Sequence, residues 1–449
     1  MMDAANRTFN FLFATWEGGG CVGPALTVAA KLVRRGHRVR LISDESNRAD
    51  AVAAGADFTA WRRAPSRPDR SRENDLFRDW EAASPQEGLS RVVDRLMAGP
   101  ARAYGEDLAE ALDREPADLV VSNEMLFGVA LACEARGQPF ALLTANVSLF
   151  PLPGVPPMGP GLPPARNEED RALHAAIADG GRQMFDAGLP ALNAARAAFG
   201  LAPLATMADQ LARAERLLLG TARAFDFAPE TLPQQILYVG PQLDTPAWAA
   251  PWASLWPATD ERPLVLVAFS TTFQNQAPIL QRVIDALAAL PVRGLVTLGG
   301  AIAPEALVPA DNVRLVDSAP HDAVLREAAL VVSYGGHGTV SRALIHRRPL
   351  LILPQGRDQN DNAVRVTERG AGLSLPADAG VQEIKASLQR LLGEPGFAAA
   401  ARALGAKVAA EAAQSPVVAE LERLAAKPAW RAAPLGAAAA PPAARAAAF

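Results

Sequence analysis

The feature that most constrains this chain is a buried strand that runs into a glycine-rich turn and then into a helix. It opens the first half and recurs deep in the second, at residues 330–344. Residues 9–15 (Phe9-Asn10-Phe11-Leu12-Phe13-Ala14-Thr15) are apolar enough for a strand covered on both faces. Gly18-Gly19-Gly20 follows, and then Leu26, Val28, Ala29, Leu32 and Val33 recur at helical spacing. Pro24 suits the first turn of that helix and Gly36 its end. A second strand at 39–42 completes a strand–helix–strand unit, which requires a parallel sheet. The pattern repeats at 119–121, 126–136 and 140–143.

It restarts in the second half. A strand is predicted at 264–269, a helix at 279–290 and a strand at 294–298, with further strands at 313–315, 330–332 and 350–353. Between the halves, residues 241–263 hold five prolines and three tryptophans, the composition of an ordered linker. The fold class read from this is α/β, with two tandem Rossmann-like doubly wound domains. A chain of 449 residues, half of them apolar, exceeds one ordinary core and fits this division. The expected boundaries are 1–240 and 241–395, then an Ala-rich helix at 396–426 and a disordered Ala/Pro tail at 427–449. Two interruptions, the polar stretch 62–85 and the Pro-rich stretch 149–166, are expected over the carboxyl ends of the strands, where such folds bind ligands.

Charge narrows the partners. Net charge is −4 with both signs interspersed, so no basic stripe points to nucleic acid. No apolar run has the ~18 residues a membrane span needs, and the short run at 9–15 lacks a signal-peptide cleavage pattern. Two cysteines, Cys21 and Cys133, form neither a disulfide framework nor a metal cluster. A small-molecule ligand, a cytoplasmic location and no bound metal are expected.

The chemistry concentrates in the second half. Ser333-Tyr334-Gly335-Gly336-His337-Gly338-Thr339 places glycines and hydroxyls where a strand becomes a helix. Backbone N–H groups, small residues and a helix dipole at such a turn suit a diphosphate. A tight connection alone would also use glycines, so the turn acquires meaning from its neighbours. These are Leu353-Pro354-Gln355-Gly356-Arg357-Asp358-Gln359-Asn360-Asp361-Asn362, Ser318-Ala319-Pro320-His321, Tyr238-Val239-Gly240-Pro241 and Val267-Ala268-Phe269-Ser270-Thr271-Thr272.

Together these blocks resemble the family-1 (UDP-glycosyltransferase-like) glycosyltransferases of GT-B fold. The likeness is to the bacterial enzymes that glycosylate macrolides, polyketides and other natural products, and it extends over residues 9–392. It implies two Rossmann-like domains facing a cleft, with the terminal helix crossing back to the first. It implies inverting transfer of a sugar from a nucleoside diphosphate (UDP or dTDP) to a small hydrophobic acceptor, with no cofactor beyond that co-substrate. Carried over by position, Ser318, Ala319 and Pro320 would flank the base, and Ser270 and Thr271 would approach the phosphates. Gly336, Gly338 and Thr339 would cradle the diphosphate, while Asp358 and Gln359 would bond the sugar hydroxyls. Tyr334 stands where the family commonly has a phosphate-binding histidine, and His337 lies three residues on.

The acceptor side departs further. The family places a histidine base after the first strand and an orienting aspartate after a later one. Here those positions read Cys21 and Asn123. Glu17 and Glu124, on the two loops expected to face the cleft, are alternative bases. A phenolic or acidic acceptor would need little base. A catalytically impaired homologue that activates a partner or merely binds nucleotide sugar is the competing reading, with a homodimer or an auxiliary role left open. Phe127, Phe150, Met158, Met184 and Phe185 suggest an apolar acceptor pocket, though ordinary core would account for each.

Overall fold

The computed structural model describes residues 7–152, 154–243, 252–269 and 274–427. The first half builds a sheet from β1 (Asn10–Ala14), β2 (Arg38–Ser43), β3 (Asp57–Ala60), β4 (Leu119–Ser122), β5 (Phe140–Leu143), β6 (Arg216–Leu219) and β7 (Ile236–Tyr238). The second uses β8 (Leu264–Ala268), β9 (Arg293–Thr297), β10 (Val313–Val316), β11 (Ala328–Ser333), β12 (Leu350–Ile352) and β13 (Gly372–Ser374). The spatial orders are β3-β2-β1-β4-β5-β6-β7 and β10-β9-β8-β11-β12-β13. Every pairing is parallel. These are two doubly wound α/β domains.

Parallel sheets survive only with both faces covered. Phe11 and Phe13 of β1 pack on one face with Val28 and Leu32 of the helix Val22–Arg34. Leu12 and Ala14 pack on the other with Tyr104 and Leu108 of the helix Ala101–Arg114. The second sheet is sandwiched the same way, with β8 alternating Val265 and Val267 against Leu264 and Leu266.

Strand order reverses between β1 and β4 and again between β8 and β11. At such switch points the two following loops diverge and leave a crevice at the carboxyl ends. In the first domain those loops carry Glu17, Cys21, Asn123 and Glu124. In the second the loop after β11 carries Tyr334 to Gly336. The loop after β8 includes Ser270 and Thr271, which lie outside the described residues.

The Ala-rich stretch after 395 is two helices rather than one, Pro395–Ala413 and Val417–Ala425. Pro416 cannot continue a helix, and Ser415 instead bonds the Val239 carbonyl. The first helix packs on the second domain through Ala401, Leu404 and Val408. The other packs on the first domain through Val417, Leu421 and Leu424. Its Glu422 meets His37, which is wedged between Phe9 and Phe11. The tail expected at 427–449 lies outside the described residues apart from Lys427.

Candidate donor cleft and catalytic loop

The donor turn is built from backbone. Gly335 has a φ of 99°, and a Cβ there would lie 2.8 Å from Ile352 and 3.0 Å from the Gln359 carbonyl. Only glycine suits both constraints. Its N–H donates to Ser333 Oγ at 3.1 Å, closing the turn. Gly336 then caps the helix His337–Ile345, whose first turn holds no acid. A Cβ on Gly336 would come within 2.2 Å of the Tyr334 hydroxyl, so the tyrosine folds back over the helix start. Gly338 is exposed, with open space where a side chain would stand, and Thr339 is half-exposed beside it. The turn therefore gathers the Tyr334 and Thr339 hydroxyls at the positive end of a helix dipole, with Gly338 exposed beside them.

The second motif is tied to the first. Asn362 donates from Nδ2 to the Gly335 carbonyl at 2.9 Å and to Asp358 Oδ2 at 2.9 Å. Asn146, from the first domain, reaches the same Asp358 oxygen at 3.0 Å. Gln359 is buried, and its Oε1 accepts from the Gln355 N–H at 2.6 Å and the Gly356 N–H at 3.2 Å. Its side chain thus shapes the loop that positions Asp358. Asp358 itself caps the helix Gln359–Thr367. Ser318 and Ala319 follow β10, the first exposed and the second buried, and Pro320 caps the helix His321–Glu327.

His337 faces the other domain. Its Nε2 lies 2.8 Å from Thr221 Oγ1, and its ring packs on Phe225. Burial pushes its pKa down to about 4, so it is a neutral imidazole near pH 7. Arg365 and Asp226 join the domains with a buried ion pair of 2.7 Å. The Pro-rich segment 149–166 also crosses, its Gly159 N–H donating to Asp361 at 2.8 Å.

Across the cleft the four acceptor-side residues have separate fates. Glu17 is saturated: Oε1 accepts the Gly19 N–H at 2.8 Å and Oε2 accepts from Arg70 at 2.9 Å. Arg70 also pairs with Asp50 at 2.6 Å. Cys21 caps the helix Val22–Arg34, a position that ordinarily favours thiolate. Burial and the nearby Glu124 overrule the helix and push the thiol up. Asn123 is fixed on three sides. Its Oδ1 accepts from Trp16 Nε1 at 3.2 Å and the Met125 N–H at 3.0 Å, which turns its Nδ2 to Glu124 at 2.8 Å. Glu124 is 4% exposed, and burial raises its pKa to about 7.

Cys21 lies in the field of Glu124 and Glu17 from its own domain and of Arg357 and Asp358 from the other. The fold thus brings the two loops and the donor motif to one place. Arg357, with a φ of 55°, reaches over the cleft to Asp79 at 2.8 Å. Asn146, Arg357, Trp16 and Thr221 were not singled out by sequence, because isolated polar or aromatic residues carry no spacing signal. Of the apolar candidates, Phe150 stacks between Phe127 and Phe185 at 6.0 and 5.0 Å. Met158 and Met184 are half-exposed. Among the described residues no cluster could hold a metal, and no helix could cross a membrane.

The chain as a whole is similar to known proteins. Residues 281–424 match the family model "Erythromycin biosynthesis protein CIII-like, C-terminal domain". The 4'-demethylrebeccamycin synthase of Lentzea aerocolonigenes is 30% identical over 415 residues, covering 88% of this chain and 94% of its own. The solved glycotransferase of kitacinnamycin superposes with a TM-score of 0.74 at 20% identity, over 93% of this chain and 99% of its own. The glycosyltransferase VinC, solved in complex with dTDP, superposes at 0.64 and 21% identity, over 93% and 99%. With a relative 30% identical over most of both chains, a matching family model and two parallel doubly wound sheets, the chain belongs to the GT-B glycosyltransferases of bacterial natural-product biosynthesis.

Proposed function

We propose that this glycosyltransferase moves a sugar, with inversion, from a nucleoside diphosphate to a hydroxyl of a small hydrophobic natural product. The observation that carries the reading is the linkage of Asp358 to the glycine turn through Asn362. A carboxylate suited to sugar hydroxyls thus stands beside the start of a helix. In this reading the N–H groups of 337–339, Thr339 and the Tyr334 hydroxyl hold the diphosphate, with Ser270 and Thr271 as further donors. Ser318 to Pro320 flank the base. Asp358 accepts from the sugar hydroxyls, for which it would exchange its bond to Asn146. Gln359 contributes through its grip on the loop. The dTDP in the VinC structure supports a dTDP or UDP donor.

Two of the candidate nucleophiles are disabled, which supports inversion. The Cys21 thiol is held neutral and Glu17 is tied to Arg70, so neither suits a covalent intermediate. A single displacement inverts the anomeric carbon. The developing diphosphate charge meets fixed N–H groups that need no reorganisation.

Calorimetry with dTDP, UDP and their hexoses tests the donor site. Binding of at least one nucleotide is expected, and failure of all of them sinks the reading. The replacement of the usual dyad by Cys21 and Asn123 favours a second reading, an impaired homologue that activates a partner transferase. That protein would bind donor without turnover and raise the rate of a second transferase when mixed with it.

A further inference from the structure

The first-domain switch point contains a carboxylate that the donor reading does not use. Glu124 follows β4 directly, on the loop opposite Cys21. Its Oε2 accepts from the Asn123 amide at 2.8 Å, and among the described residues no cation pairs with it. Glu17, 107 positions earlier and on the facing loop, is the opposite case, neutralised by Arg70.

We propose, resting on the transferase reading above, that Glu124 is the proton acceptor of the reaction, aimed by Asn123 and Trp16. In this step an acceptor oxygen bonds to the anomeric carbon as the bond from that carbon to the diphosphate breaks. The bonding pair leaves with the diphosphate, and the acceptor proton passes to the Glu124 carboxylate.

The surroundings explain why residue 123 is an amide. Its carbonyl is committed to the Trp16 and Met125 N–H groups, so the amide cannot flip and must donate to Glu124. An aspartate at 123 would set two carboxylates in contact, and one would stay protonated. The pair Glu124/Asn123 is therefore a consistent replacement for a histidine/aspartate dyad, with the orienting partner neutral because the base is anionic. Burial without a counter-charge supports the role, since a carboxyl raised to about 7 is matched to proton transfer near neutrality. The neighbouring Cys21 thiol lies in the field of Glu124 and Glu17 from the first domain and of Arg357 and Asp358 from the second, whereas burial dominates at Glu124 itself.

The test uses full-length protein with dTDP-glucose and UDP-glucose. The acceptors are a matched pair, 4-methylumbelliferone as phenol and its hydroxyethyl ether as alcohol. Glu124→Gln is expected to lower kcat/KM at least ~100-fold on the alcohol and less than about tenfold on the phenol, which is already acidic. Binding of dTDP or UDP should be unchanged. Wild-type kcat/KM on the alcohol should rise with pH through about 7, and that limb should vanish in the variant. Independently of any acceptor, carboxyl-labelled glutamate followed by NMR, assigned against Glu124→Gln, should show Glu124 titrating near 7. Asn123→Asp should move that titration upward. Full alcohol activity in Glu124→Gln, equal losses on both acceptors, or titration below about pH 5 would overturn the proposal. Loss of nucleotide binding in the wild type would instead remove the transferase reading beneath it.

Discussion

The two halves of the cleft are built on the same strand order but from different materials. The donor side relies on backbone: a glycine turn, a helix start and one carboxylate held by two asparagines. The acceptor side relies on side chains: a Glu17 paired with Arg70, a half-buried Cys21 whose thiol is held protonated and a buried Glu124 aimed by an amide. A diphosphate is the same in every donor, so a backbone cradle serves them all. Acceptors differ in shape and acidity, and side chains on loops can be exchanged without disturbing the sheet.

The largest effect is expected where the halves meet. Asp358→Ala removes the charged acceptor for the sugar and should lower kcat/KM by roughly 100- to 1,000-fold. Nucleoside diphosphate affinity, measured by calorimetry, should change little. If nucleotide binding collapsed instead, the carboxylate would be holding the loop rather than the sugar.

Stability against pH comes next. The folded carboxyl of Glu124 is raised to about 7 from an unfolded value of 4.5. The native state therefore binds this proton more tightly between those values, and wild-type stability falls as pH rises through that window. The shift corresponds to up to about 3 kcal/mol. Glu124→Gln does not titrate, so it should gain in Tm over wild type at pH 8 and gain little at pH 4.5. A constant difference at both pH values would show that the carboxylate is not strained by burial.

Gly335→Ala should destabilise the protein by roughly 1–3 kcal/mol, because its φ of 99° and two close neighbours both oppose a Cβ. Thermal unfolding and nucleotide calorimetry should fall together, since the turn is both fold and site. Asn146→Ala removes the bond to Asp358 that the sugar would displace, so kcat/KM should change by less than about threefold. The smallest effect is on the thiol. With its pKa pushed up, Cys21 should be alkylated by iodoacetamide at pH 8 at least about tenfold more slowly than a free thiol, by mass spectrometry. Rapid labelling would restore it as a nucleophile.

Legibility differed between the halves for a related reason. The glycine turn and the Asp358 motif are contiguous blocks, so their resemblance to a known family exposed them. The strands β1, β5 and β8 were legible within one residue at each end, because buried parallel strands are unbroken apolar runs. β3, β7 and β13 are short and partly exposed, and they escaped. Glu17 and Glu124 looked alike in one dimension. Arg70 and Asn123 distinguish them, and Arg70 lies in a polar stretch whose pairing no periodicity announces.

The amino-acid order alone determined the two doubly wound domains and the glycine turn, and its resemblance to a known family exposed Cys21 and Asn123 as departures from the expected dyad. Hydrophobic period and glycine placement act over a few residues, so they are written locally. Only tertiary structure decided which carboxylate is neutralised, that the Cys21 thiol is held protonated, that His337 faces Thr221, and that Asn146 reaches Asp358 from the other domain. Those properties come from burial and from partners up to 212 positions apart, and a charge takes its character from its surroundings in space.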